Sequence, residues 1–338
     1  MANRDVVVVG ASAGGVEALQ AMAAGLPVDL PAAVLIVLHV PRMSPSALPT
    51  ILSRAGPLPA KHASDGERLG HGRIYVAPPD HHLLVLDDRV RLSRGPMENS
   101  HRPAIDPLFR SAARAFGPRV IGVVLSGARD DGASGLHTIA ERGGLTVVQD
   151  PEDALHAGMP QAALAHGRVD HVVQAAKLGA VLGEAVRRTV PEPTPSEDPL
   201  LNGEVAVADA MPVTTDTLPG SPAGFGCPTC GGSLWEMQTT PIPRYRCRVG
   251  HAWSPESLLD EQASALESSL WMALRALEEK AALSRRLAHV MGEPGTGSLA
   301  RRHQQVIEDT EAASAMIREL IDNIGARGAL AGEADRGA

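Results

Sequence analysis

Four short runs of β-branched and aliphatic residues constrain this chain more than any other feature: DVVVV at 5–9, AVLIVL at 33–38, RVIGVVL at 119–125 and LTVVQ at 145–149. None alternates apolar with polar residues, so each reads as a strand buried on both faces. Between them lie segments of helical character at 14–24, 106–116 and 132–142. Parallel strands need long crossovers, and helices supply them while covering the sheet. The expected fold class is therefore α/β, a doubly wound, mainly parallel sheet. RIYVA at 73–77, followed by LLVL and RVRL on either side of Asp87 and Asp88, adds short strands and an inserted β-hairpin.

The remaining text divides the chain. From 188 to 223 it reads RTVPEPTPSEDPLLNGEVAVADAMPVTTDTLPGSP and onward, dense in Pro, Thr, Ser and acids, which is the composition of a flexible linker. The domains expected are a catalytic domain over 1–187, that linker over 188–223, a cysteine segment over 224–254, a helical hairpin over 255–325 and a disordered tail over 326–338. A linker at that place implies that residues 1–188 are complete in themselves. In the hairpin, Leu259, Leu266, Leu270, Ala273 and Leu277 on one helix and Leu299, Val306, Ala313, Leu320 and Ile324 on the other suggest a packing seam. Such stripes also serve self-association or partner docking.

Net charge is −8 with no dense Lys/Arg stripe, which excludes the electrostatic footprint of a nucleic-acid binder. The opening MANRDVVVVG is too short in apolar residues for a signal peptide or a membrane span, so no membrane insertion is expected. The three cysteines all fall between 227 and 247, which suits a reducing compartment; the localisation expected is cytoplasmic.

The first apolar run breaks into GASAGG at 10–15. Read as a dinucleotide loop it is flawed, because Ser12 stands where the middle glycine must admit a pyrophosphate, and His39 ends the second strand where an acid is wanted. Read as G-x-S-x-G, it is a sharp strand-to-helix turn that exposes the Ser12 hydroxyl. Ser12 and His39 then both sit at C-terminal strand ends, the edge where open α/β sheets place their sites. LSGARDDGASGL at 125–136 brings Asp130 and Asp131 to the same edge. A carboxylate orienting an imidazole that activates a serine is the logic of a catalytic triad, although the residues alone leave Asp130, Asp131, Asp106 and Asp150 all open. His81, His82 and His101 are the alternatives to His39 as base.

CPTCGGSLWEMQTTPIPRYRCRVGHAW places two residues between Cys227 and Cys230 and three between Cys247 and His251. Two such turns joined by a short hairpin can converge on one tetrahedral ion, so a structural zinc held by Cys227, Cys230, Cys247 and His251 is expected. Five of the chain's eight aromatics, Phe225, Trp235, Tyr245, Trp253 and Trp271, fall in or near this segment, as a tiny metal-centred core requires. A closed four-ligand site has no open position for chemistry.

In order and wording, VVGASAGGVEAL, HVP, GRIYVAPPDHHLLV, RPAIDPLFRSAA, LSGARDDGASGL and AGMP resemble the catalytic domain of the CheB family, the chemotaxis protein-glutamate methylesterases, over roughly residues 3–186. The resemblance implies Ser12 as nucleophile, His39 as general base and Asp131, the acid directly before Gly132, as orienting carboxylate. It implies hydrolysis of glutamate γ-methyl esters on a methylated receptor or sensor protein, with release of methanol, and also glutamine deamidation. No cofactor is implied for catalysis. Ala13 N–H, following the nucleophile, is the expected oxyanion donor. Ala128 and Arg129 depart from the T-G-M-G common in the family. A receiver domain, typical of the family's fuller architecture, is not expected here, so control by phosphorylation in cis is not expected either. The competing reading is a non-chemotaxis signalling or scaffold module, in which a retargeted esterase domain and the metal-binding tail assemble a sensory complex.

Overall fold

The structure is a computed structural model and describes residues 2–212, 220–237, 242–290 and 298–334. Strand β1 (Ala2–Asn3) pairs antiparallel with β11 (Thr189–Val190). The main sheet contains β2 (Val6–Ala11), β3 (Ala33–Leu38), β4 (Ala60–His62), β5 (Arg73–Val76), β8 (Val120–Val124), β9 (Leu145–Gln149) and β10 (His171–Val173). Their order is β10-β9-β8-β2-β3-β5-β4, and every neighbouring pair is parallel. All six residues of β2 and of β3 are buried, as their unbroken apolar runs demand.

Strand alternation divides the core into two layers. Val7, Val9, Val34 and Ile36 face a cluster with Leu19 and Met22 of α1 (Gly15–Ala24), Leu52 of α2 (Leu48–Ala55) and Leu178 and Leu182 of α6 (Ala175–Ala185). Val6, Val8, Leu35 and Val37 face the opposite way. They meet Ile105, Leu108 and Phe109 of α3 (Ile105–Phe116), Leu136 and Ile139 of α4 (Ala133–Glu141) and Met159 of α5 (Gly158–His166). The expected doubly wound sheet is observed. RIYV differs from the expectation in one respect, since it joins the main sheet as β5 rather than the insertion. The inserted hairpin itself is β6 (His82–Leu86) and β7 (Arg89–Ser93), turning at Asp87, whose φ of 54° is left-handed.

The linker expectation needs correction. Inside 188–223, helix α7 (Pro199–Ala208) forms with Leu201, Val205, Val207 and Ala208 buried. Its start follows ordinary rules: the Asp198 carboxylate accepts the Leu200 and Leu201 N–H groups, and Pro199 takes the first turn. The apolar LL and VAVA positions are diluted by the Pro, Thr and acid residues around them. The antiparallel sheet of the cysteine segment follows, with β12 (Gly220–Gly226), β13 (Ser233–Met237), β14 (Arg244–Cys247) and β15 (Ala252–Trp253) in sequential order. Everything from Met1 to Leu258 forms one compact unit, so the cysteine ribbon belongs with the main sheet.

The second unit, Leu259–Ala338, consists mainly of the greater part of α8 (Pro255–Val290) together with α9 (Ser298–Ala334). Helix α9 is assigned as far as Ala334, and residues 335–338 of the expected tail and the expected GEPGTG turn lie outside the described residues. The seam is offset by about one residue from the expected stripe. Leu274, Ala281 and Ser284 of α8 and Ile307, Thr310, Ser314 and Ile321 of α9 are buried, whereas Leu259, Leu266 and Leu320 are exposed. A one-residue offset rotates a helix by about 100°, which is why a loosely repeating stripe does not define the buried face. Arg285 with Glu311 and Arg318 with Glu278 pair between the two helices.

Candidate active site

Strands β2, β3 and β8 lie side by side, and the chain reverses its direction of travel across the sheet at β2. Their C-terminal ends therefore meet at a topological switch point, the place where open α/β sheets put their sites. Ser12 immediately follows β2. Gly14, at φ 68°, turns the chain into α1, and a Cβ there would come within 2.8 Å of Ser126 Oγ. Ser126, just beyond β8, holds the turn from two sides: its carbonyl accepts the Ser12 N–H at 2.9 Å and its hydroxyl donates to the Ala13 carbonyl at 2.8 Å. Gly127 is needed beside it, because a Cβ there would lie 2.9 Å from Ser12 Cβ.

His39 extends the β3 ladder by one bond, its N–H donating to the Ala11 carbonyl at 3.1 Å. This sets the imidazole next to the serine turn. His39 Nδ1 lies 3.1 Å from Ser12 Oγ, and Nε2 lies 2.8 Å from Asp131 Oδ2. Ser12, His39 and Asp131, three of the four residues that sequence reasoning brings to this edge, thus form a continuous hydrogen-bonded line. The other histidines are placed differently. His82 is fully buried between the Pro96 carbonyl and the Ala104 N–H, and His81 contacts the Pro79 carbonyl. His101 stacks flat on His39 with ring centroids 3.6 Å apart. Burial, then the neighbouring His39, holds the His101 imidazole down to about 3, so it stays neutral at ordinary pH.

The four candidate aspartates separate by their partners. Asp131 accepts four hydrogen bonds: from His39, from Asn99 Nδ2 at 3.2 Å, and from the Ile105 and Asp106 N–H groups at 2.7 and 3.3 Å. The last two are free amides at the start of α3, a favourable place for negative charge. Burial alone would raise this carboxyl, but the His39 and Ile105 bonds outweigh it and hold it at about 2. Asp106 accepts the Gly135 N–H at 2.7 Å in the first turn of α4; burial, then the nearby Asp131 charge, raises it to about 7. Asp130 accepts from Ser254 and Ser257 Oγ at 2.7 and 3.1 Å. Asp150 accepts the Glu152 N–H in a local turn. Arg129, standing where glycine is common, has φ 64°, a left-handed conformation glycine adopts without cost.

In the ribbon, Cys227 Sγ lies 3.8 Å and Cys247 Sγ 3.7 Å from His251 Nδ1, and Cys230 Sγ lies 3.7 Å from Cys247 Sγ. All four donor atoms fall within 4.8 Å of one another. Tetrahedral zinc with bonds of ~2.3 Å to sulfur separates its ligands by ~3.8 Å, so the donor set fits. Burial, then Arg102 and Arg246, lowers the His251 pKa and keeps the imidazole neutral, as a ligand must be.

Sequence reasoning missed how the ribbon is attached. Glu98 and Glu204, both buried, share Arg110 of α3 and Arg244 and Arg246 of β14. Arg244 donates to Glu204 at 2.7 Å and to Glu98 at 2.8 Å, and Arg246 donates to them at 2.7 and 2.9 Å. Arg110 donates to Glu98 at 2.6 Å. The paired charges hold Glu98 well below the usual carboxylate range and Glu204 at about 2, against the burial that would raise both. Five buried charged side chains from four separate segments are thereby locked together.

A doubly wound α/β sheet with a serine, histidine and aspartate in line at its switch point has the constellation used by serine hydrolases. The chain belongs to the CheB methylesterase family, whose family model matches residues 7–182. It is 39% identical over 177 residues to a relative from Leptospira interrogans, a match spanning 52% of this chain and 92% of that protein. It is likewise 39% identical over 186 residues to the protein-glutamate methylesterase/protein-glutamine glutaminase 2 of Anaeromyxobacter dehalogenans, spanning 55% of this chain and 54% of the relative. Among solved structures, the Thermotoga maritima CheB methylesterase catalytic domain matches with a TM-score of 0.52 and 31% identity, covering 54% of this chain and 98% of that one. The cysteine ribbon and helical hairpin lie beyond the family match. No described helix is long and apolar enough to cross a membrane.

Proposed function

We propose that this chain hydrolyses glutamate γ-methyl esters on a methylated receptor or sensor protein, with Ser12 as nucleophile, His39 as general base and Asp131 as orienting carboxylate. The single observation behind this is the line Ser12 Oγ, His39 Nδ1, His39 Nε2, Asp131 Oδ2, with separations of 3.1 and 2.8 Å. Asp131 holds the proton of the neutral imidazole on Nε2, which leaves Nδ1 free to accept. Ser12 Oγ attacks the ester carbonyl as Nδ1 takes its proton, and the imidazolium formed is stabilised by the ionised Asp131. The Ala13 N–H, on the turn braced by Ser126, stabilises the oxyanion. Nδ1 then protonates the departing methoxide, which leaves as methanol. Water attacks the acyl-serine with His39 again as base, Ser12 recovers its proton, and a glutamate carboxylate is released.

With ammonia as leaving group the same steps deamidate glutamine, consistent with the double designation of the relatives. Cys227, Cys230, Cys247 and His251 hold one structural zinc, which supplies folding free energy to the ribbon and takes no part in these steps. A cytoplasmic location belongs to the same reading. The test is methanol release from methylated receptor membranes by the full chain and by Ser12→Ala. Release that depends on Ser12 supports the reading, and release unaffected by the substitution refutes it.

A further inference from the structure

The turn from Glu98 to His101 touches the triad on one side and the cysteine ribbon on the other. Toward the triad, Asn99 Nδ2 donates to Asp131 Oδ1 at 3.2 Å, and His101 stacks on His39. Toward the ribbon, Asn99 N–H donates to the Ala252 carbonyl at 2.9 Å, and the Ala252 N–H donates to the Met97 carbonyl at 3.2 Å. The Ser254 N–H donates to Asn99 Oδ1 at 2.9 Å. Glu98 is fixed by Arg244 and Arg246 of the ribbon.

An asparagine amide has one accepting and one donating end. Because Ser254 N–H occupies the oxygen, the NH2 must face Asp131; the ribbon decides which way this side chain points. The contact points are close in sequence to the four ligand candidates. Arg246 adjoins Cys247, Ala252 adjoins His251, and Cys247 N–H donates to the His251 carbonyl at 3.1 Å. Ser254 also reaches Asp130, next to Asp131, through its hydroxyl.

We propose that Asn99 is a positioning residue of the esterase site and that the metal-bound ribbon sets its geometry, so that the cluster of three cysteines and one histidine controls hydrolysis from outside the catalytic sheet. This rests on the esterase reading above. Loss of the ion loosens the β14–β15 turn, the Ser254 N–H leaves Asn99, and the amide no longer holds Asp131 against His39.

The experiment uses the full chain, zinc-loaded and chelator-stripped, with and without Asn99→Gly. Glycine is chosen because Asn99 has φ 50°, which alanine would resist. Turnover of a peptide γ-glutamyl methyl ester and the low-field proton NMR signal of His39 Nε2–H are read together. Removing a neutral donor from a buried carboxylate is worth about a ten- to hundredfold change. Asn99→Gly is expected to lower kcat by about that much, to leave KM within about twofold, and to broaden the low-field signal. Stripping wild type should do the same, and stripping Asn99→Gly should add less than about twofold, because both act through one contact. Independent multiplication of the two effects, or wild-type kcat and NMR signal in Asn99→Gly, overturns the proposal. If the stripped chain melts below the assay temperature, zinc-loaded Ser254→Pro, which deletes the N–H bound by Asn99, takes its place with the same expectations, read against Ser254→Ala, which keeps that N–H and loses only the hydroxyl bonded to Asp130 and Ser257. Ser12→Ala in the same assay isolates failure of the esterase reading, since only that failure leaves its rate intact.

Discussion

Replacing Asp131 with asparagine exchanges a carboxylate for an amide of nearly the same shape at the most heavily bonded point of the site. Four donors converge on Asp131, from His39, Asn99, Ile105 and Asp106. An amide offers one oxygen, so about half of those donors come to face an NH2 group. Leaving two buried donors unsatisfied costs about 2–6 kcal/mol. A second route gives a similar figure: a carboxyl held at about 2 rather than 3.8 contributes about 2 kcal/mol at neutral pH. Because the folded value is the lower one, that contribution is present above pH ~4 and is lost as pH falls toward 2. The melting temperature of the full chain at pH 7 is therefore expected to drop by at least about 5 °C. The gap to wild type should narrow as the buffer is acidified.

Hydrolysis is affected by a different mechanism. If the amide of the Asp131→Asn variant presents its NH2 to Nε2, the imidazole proton moves to Nδ1, which then donates to Ser12 instead of accepting from it. In a trypsin-type protease the equivalent change lowers kcat by about 10⁴, and a loss of at least about 10³ is expected here. The assay is single-substrate turnover of a γ-glutamyl methyl ester peptide beside a thermal melt of the same preparation. A variant that melts with wild type and keeps its rate within about tenfold refutes the placement of Asp131 as both helix cap and orienting group.

The remaining expectations concern the ribbon and the buried charges. Protein purified without added metal should carry one zinc per chain by elemental analysis, and Cys247→Ser should lose it; a folded ribbon without metal contradicts the four-ligand assignment. Arg246→Met strands Glu98 and Glu204 partly unpaired, and should lower stability by about 3–5 kcal/mol in denaturant titration. An unchanged midpoint would show that the network contributes nothing. Asp106 is raised on folding from 3.8 to about 7, so the folded state keeps a proton that the unfolded chain has lost, and its contribution falls as pH rises through that window. Asp106→Asn should therefore gain stability relative to wild type between pH 5 and pH 8 in parallel melts, and a constant difference would remove Asp106 as the source.

The parts of this molecule that are legible in its sequence are those encoded locally. Each of β2, β3 and β8 is an unbroken aliphatic run, and Ser12, His39 and the Asp130–Asp131 pair follow those runs closely, so one sheet edge gathers them. Choosing among the aspartates is beyond spacing, because what distinguishes Asp131 is a bond to the amides opening α3, 26 and 25 residues away. Helix α7 is hidden by composition: its Asp-Pro start and its Leu and Val positions sit among residues typical of disorder. The ribbon's attachment has no local signature at all. Glu98 meets Arg244 and Arg246 across separations of 146 and 148 residues, and single arginines on a short strand look like solvent-facing charges until their partners are known. Asn99 escapes sequence reasoning for the same cause. Its significance comes from Ser254 and Asp131, neither of which is near it in sequence.

The most direct test of the central claim is methanol release from methylated receptor membranes, comparing the full zinc-loaded chain with Ser12→Ala. The turn's backbone bonds to Ser126 and Gly15 do not involve the Ser12 hydroxyl, so the variant should melt like wild type. Methanol is expected from wild type, with a glutamate carboxylate in place of each ester, and Ser12→Ala should release at least about 10³-fold less. Methanol release by folded Ser12→Ala at the wild-type rate would contradict the assignment of this site as the esterase.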